Sequence, residues 1–246
     1  MTTTTRTTGS TARSRTKTER RGLSKLLRDN GLSLALFCLF LVSLIGHLFA
    51  GRSVAREEAR SHGESGPAGL LEYAASPHFL ESLFENWESE FLQMAAYVVL
   101  TIFLFQRGSA ESKDPDDVSG DPCEEDPREH ASDPRAPWPV RRNGLALSLY
   151  NHSLSISLSL LFAFSFGMHL LAGARHFNAE RLQHGDSAAG VSDYLASSTF
   201  WFESFQNWQS EFLSVGALVV LSIFLRQRGS PESKPVHMPH AHTGKE

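Results

Sequence analysis

Two histidines and two glutamates occupy matched places in this chain, and their types suit them for chemistry. His47 sits near the end of one long apolar run and Glu90 at the start of the next; His169 follows His47 by 122 residues and Glu211 follows Glu90 by 121. An imidazole and a carboxylate at one depth of a low-dielectric layer can coordinate a divalent cation or pass protons. The plainer role is a pair of hydrogen bonds steadying each helical hairpin, worth on the order of 1 kcal/mol apiece. Catalytic signatures are missing from the sequence, which has no G-x-S-x-G, H-E-x-x-H, Walker loop, C-x-x-C or G-x-G-x-x-G. We therefore expect no enzyme, no cofactor and no assigned metal. Cys38 lies in an apolar run and Cys123 in an acidic one, so a disulfide framework is not expected.

Positioning these four groups falls to a duplicated sequence. Residues 87–113 return as 208–234 with 19 of 27 positions identical. Upstream, His47-Leu48 matches His169-Leu170 and His62-Gly63 matches His184-Gly185, before one deletion shortens the offset ahead of Tyr194. A unit of about 90 residues is far longer than a solenoid repeat. Mean hydropathy is only -0.21, but the average hides segregation. Residues 31–50 and 153–172 contain no Asp, Glu, Lys or Arg. Twenty helical residues span about 30 Å, the thickness of a bilayer's hydrocarbon core. The second run of each copy, 91–105 and 212–225, is shorter and must extend outward or thin the bilayer. We expect an all-α membrane protein with four transmembrane helices, built as two tandem parallel-repeat hairpins. The spans fall at about 31–50, 88–106, 153–172 and 209–226. A signal peptide does not recur inside a chain, so the first run also reads as a span.

Composition divides the rest. Residues 1–19 form a Thr/Arg-rich tail expected to be disordered; 20–107 is the first two-span repeat, 140–228 the second, and 229–246 a polar tail with His237, His240 and His242. The linker 108–139 carries ten acidic residues, is rich in Pro, and also reads as disordered. Segments 21–28 and 140–150 look like amphipathic lead-ins at the headgroup level, with Trp87, Trp138 and Trp208 as interfacial anchors. Phe79, Phe84, Trp87 and Phe91 share a helical face, and Glu81, Glu85 and Glu88 fall largely off it. Serines at 153, 155, 157 and 159 alternate with apolar residues, a strand-like period that must yield to helix inside lipid. Ser155, Ser159 and Ala163 would then offer a small-residue packing stripe.

Of 23 Lys and Arg residues, only Arg52, Arg56, Arg60, Arg175 and Arg181 lie in the loops inside the hairpins. Positive-inside places both termini and the linker in the cytoplasm. The expected partner is the lipid bilayer, with anionic lipids suited to the basic residues of 1–30 and a protein partner or homo-oligomer open; nucleic acid is not expected.

The blocks Asn-Trp-x-Ser-Glu-Phe-Leu (86–92 and 207–213) and Gln-Arg-Gly-Ser-x-Glu-Ser-Lys (106–113 and 227–234) flank Ala-Pro-Trp-Pro-Val-Arg-Arg at 136–142. Together they resemble a bacterial membrane-protein family filed as domain of unknown function 6766, from about residue 23 to 235. The resemblance implies a multi-pass protein of the bacterial plasma (inner) membrane and brings no activity. The leading expectation is a structural or interaction role. The alternatives are a small transporter or ion- or proton-conducting oligomer using the His/Glu level near the outer face, and a membrane stress sensor acting through its cytoplasmic segments.

Overall fold

An apolar run inside lipid leaves the backbone no partner but itself, so helix is the expected outcome. The computed structural model describes residues 10–63, 65–116 and 121–244, with side chains from Ser24 onward; these residues contain helices and turns and no strand. Three helices are long and apolar enough to cross a membrane: Ser24–Ser61, Ser153–Gln183 and Ser198–Phe224. The chain divides into two units, Met1–Ala75 and Ser76–Glu246.

The first unit holds α1 (Ser10–Ser61) and α2 (Leu70–Ala74). Helix starts at Ser10, inside the stretch composition reads as unstructured. Extending an existing helix needs no new nucleus, which offsets the poor apolar content of that stretch; residues 1–9 lie outside the described ones. Asn30 interrupts α1 with φ -128° and ψ 16°, and its amide donates to the Leu26 carbonyl at 3.2 Å. The Glu72 carboxylate caps α2 by accepting from the Ala68 N–H at 2.8 Å. Tyr73 is buried over Gly51, where an added Cβ would stand 2.2 Å from the phenol oxygen.

The second unit runs α3 (Pro77–Phe103), α4 (Trp138–Arg142), α5 (Gly144–Asn151), α6 (Ser153–Gln183), α7 (Val191–Leu195) and α8 (Ser198–Phe224). Ser76 and Ser197 open α3 and α8 by accepting the Phe79 and Phe200 amides at 3.3 and 3.2 Å. The two capped helices have the same length, 27 residues. His152, the counterpart of Asn30, breaks the chain between α5 and α6 with φ -113° and ψ 9°. Tyr194 lies over Gly173 as Tyr73 lies over Gly51, with 2.4 Å left for a Cβ.

The alternating serines are helical from the first residue of α6, as lipid requires. The packing stripe is not the one spacing suggested. Ser159 and Ala163 are exposed, and the buried line is Ser165, His169, Ala172 and Gly173. That half of α6 receives the bulk of Tyr194 and Phe200, whose rings lie 5.4 Å apart, and α3 packs along it.

The linker also departs from expectation. Each of its four Asp-Pro pairs makes the same turn: Asp114, Asp121, Asp126 and Asp133 accept the amide two residues on, at 2.9, 2.8, 2.9 and 2.8 Å. The Asp side chain supplies the missing acceptor while Pro fixes φ, so order arises without apolar periodicity. The polar tail folds back too. Lys234 is buried, its ammonium enclosed by the carbonyls of Gly108, His240 (3.0 Å) and His242 (2.7 Å). Thr243 closes the ring by accepting the Gly108 N–H at 2.9 Å.

Candidate functional site

Acidic residues at 81, 85 and 88 follow the i, i+4, i+7 rule and so share one face of α3. On α6, His169 and His176 are seven residues apart and share a face in the same way. The two stripes meet. His169 Nδ1 lies 2.7 Å from Glu88 Oε2, and His176 Nδ1 hydrogen-bonds Glu81. Pairing 88 with 169 and 81 with 176 runs α3 and α6 antiparallel. The helix α8 reaches the same carboxylates and runs parallel to α3: Trp208 Nε1 donates to Glu88 Oε1 at 3.1 Å, and Asn207 donates to Glu85.

A tyrosine joins the two halves of this cluster. The Tyr194 hydroxyl is 3.1 Å from Glu81 Oε1 and 2.7 Å from Glu203 Oε2. Glu203 in turn faces His169 Nε2 at 3.7 Å, beyond hydrogen-bond length, leaving that buried nitrogen without a closer partner. The resulting chain reads His176–Glu81–Tyr194–Glu203–His169–Glu88–Trp208. His169 and Glu88 are both 0% exposed, whereas the His176 side chain keeps 29% of its surface. The His169 ring stacks on Phe200 with centroids 5.0 Å apart, which fixes its orientation.

The charge count is unusual. Glu81, Glu85, Glu88 and Glu203 are four carboxyl groups, and among the described residues their ionic partners are His169 and His176 alone, with no Lys or Arg. Burial without compensating cations favours the neutral carboxyl. Glu85 stands one turn ahead of the expected span at 88–106. Burial first, then the charges of Glu203 and Glu81, push it up to about 7, against the opposing pull of His169 and Asn207. The phenol of Tyr194, outside the spans on α7, is pushed far above its ordinary range by burial and by Glu203 and Glu81. A hydroxyl carries one hydrogen but here faces two carboxylates. Either one of the two is protonated and donates back, or one contact is repulsive.

Of the four residues singled out by sequence, His169 is central. Its nitrogens face Glu88 and Glu203 rather than Glu211. Glu90 is exposed, with Glu211 as a charged neighbour, and Glu211 is half-buried. Two residues rotate a helix by about 200°, so Glu88 and Glu90 cannot both face α6. His47 is half-buried on α1, in the first unit. Among the described residues no group of three or more His, Cys, Asp or Glu is arranged for a metal ion. Trp208, expected as an interfacial anchor, donates into the cluster. Trp138 is exposed beneath the Arg142 guanidinium at 5.3 Å, and Trp87 packs edge-on against Phe84. The residues sequence missed are Glu81, Glu85, Glu88, His176, Tyr194 and Glu203. For Glu81, Glu85 and Glu88 the available signal was divergence between the copies: Phe202, Gln206 and Gln209 stand in their places in the second copy.

Long apolar helices around a buried ionisable cluster define a membrane-type helical protein. Residues 23–245 match the family described as "Domain of unknown function (DUF6766)", and the chain belongs to it. No curated protein and no solved structure matches the chain.

Proposed function

We propose that this protein is a non-enzymatic, multi-pass protein of the bacterial plasma membrane that takes up protons into the α3–α6–α8 cluster from the outer side. The observation that carries the reading is the set of four carboxyl groups facing two imidazoles with no Lys or Arg. Such a set lowers its energy by binding protons at neutral pH. In this reading α3 supplies the fourth span from Glu88 onward, with Glu81 and Glu85 at its outer mouth. Its acids face α6 and α8 instead of lipid, so composition alone understates its fitness for the membrane. The four spans form two parallel repeats with both termini cytoplasmic, as the distribution of Lys and Arg supports. His176, the half-buried end of the chain of groups, then opens toward the outside.

Infrared difference spectra of purified protein between about pH 5 and pH 8 test this. Protonated carboxyl bands should disappear as pH rises, and Glu85→Gln should remove part of the signal. A spectrum without carboxyl change would overturn the reading. A purely structural or interaction role is the second reading, favoured by Trp208 and Asn207, which hold Glu88 and Glu85 with fixed donors. It predicts unchanged carboxylates throughout that range.

A further inference from the structure

Glu85 begins a second line of polar groups that the cluster does not use. Residues 85, 89, 93, 97 and 101 of α3 are Glu, Ser, Gln, Tyr and Thr, one unbroken i, i+4 ridge along the helix. Apolar residues would be expected along such a ridge in a lipid-facing helix. Here the middle is polar and buried: Ser89 is 2% exposed and Gln93 7%. The Tyr97 hydroxyl is buried without a well-formed hydrogen bond, and the charges of Glu111 and Glu232 act on it from the loops beyond the C-terminal ends of α3 and α8. On α6, Ser165 is 0% exposed and its hydroxyl has no partner. In the register that pairs 88 with 169 and 81 with 176, Ser165 falls opposite residue 92, at the level of Gln93.

We propose that this ridge carries protons from the cluster to the far side of the membrane, through Ser89, Gln93 and Tyr97 to Glu111. The proposal rests on the proton-uptake reading above and extends it from a store to a path. Successive rungs stand about 6 Å apart, a gap that one bridging water closes. Buried, under-partnered hydroxyls at Ser165 and Tyr97 are the groups such waters would satisfy. At each hop one O–H or N–H bond breaks as the next forms. Ser89 and Gln93 orient the waters without changing charge. The Tyr97 hydroxyl hands on its hydrogen as it accepts another, and Glu111 releases the proton. Every group returns to its starting state, and nothing is oxidised or reduced. The counterpart ridge on α8 reads Gln206, Ser210, Ser214, Leu218 and Ser222. It lacks both the carboxyl and the phenol, so conduction is confined to α3.

The test uses the full chain in liposomes holding a pH-sensitive dye, with a potassium diffusion potential driving protons inward. The parent protein should acidify the lumen faster than protein-free liposomes do. Tyr97→Phe, which keeps the ring, should slow that flux at least about tenfold, the effect of a barrier raised by roughly 1.4 kcal/mol. Gln93→Met, close in volume, should slow it similarly, and both variants should keep the infrared carboxyl signal. Parent flux equal to the protein-free control, or Tyr97→Phe conducting like the parent, overturns the path. If the carboxyl signal persists in either case, the uptake reading stands and only its extension falls. If the parent lacks that signal, both fall.

Discussion

At the scale of single residues, Glu85 makes the most direct prediction. An unfolded chain releases its proton near the ordinary 4.5, while burial raises the folded value to about 7. Between those values the folded protein holds a proton that the unfolded chain has lost. Stability must therefore fall as pH rises from about 4.5 to about 7. Glu85→Gln should remove that part of the slope, so the difference between parent and variant thermal midpoints should shrink toward acid and grow toward neutral pH. Thermal unfolding in detergent across this window checks it, and parallel profiles would refute the assignment. The sequence exposed His169 because its counterpart His47 marked it, whereas Glu81, Glu88 and Tyr194 were hidden for opposite reasons. The two glutamates lack counterparts in the other copy. Tyr194 has one, Tyr73, but nothing in its spacing showed that α7 would fold it over Gly173. Three-helix side-chain geometry cannot be read from one-dimensional spacing.

At the scale of elements, the long helices were legible because a charge-free run of 20 residues admits little else. Short elements were not. The Asp-Pro turns of the linker obey side-chain hydrogen bonding rather than hydrophobic period, and acidic composition masked them. The α2–α1 and α7–α6 contacts depend on a single missing atom at Gly51 and Gly173. Gly173→Ala should destabilise the second unit by about 1–3 kcal/mol, the usual effect of overpacking. Gly51→Ala should act similarly on the first. Removing the phenol oxygen should help the two unequally: Tyr73→Phe leaves its ring carbon 3.0 Å from the new Cβ, whereas Tyr194→Phe leaves ring carbons at 2.7 Å. Thermal unfolding of the two double variants decides this. Equal rescue at both sites would mean that the hydroxyls alone set the fit.

At the scale of the whole molecule, the prediction is topological. Reporter fusions after Lys113 and Lys234 should read cytoplasmic, and fusions near Gly66 and Ala188 external. An external signal at Lys113 would eliminate α3 as a span and leave the proposed path without a membrane to cross. Apolar content points to three such helices, and the fourth depends on where the α3 acids face. Under the proposed function α3 adds a fourth span, which hydropathy alone does not mark and which rests on the partnership between α3 and α6.

The carbonyl ring around Lys234 sets an order on biogenesis. Gly108 leaves the ribosome 126 residues ahead of the lysine that will occupy its carbonyl. Throughout that interval the Gly108 carbonyl lacks the Lys234 ammonium and the Gly108 amide lacks the Thr243 hydroxyl. A nascent chain stalled before Lys234 therefore displays an unfinished loop that the completed chain conceals.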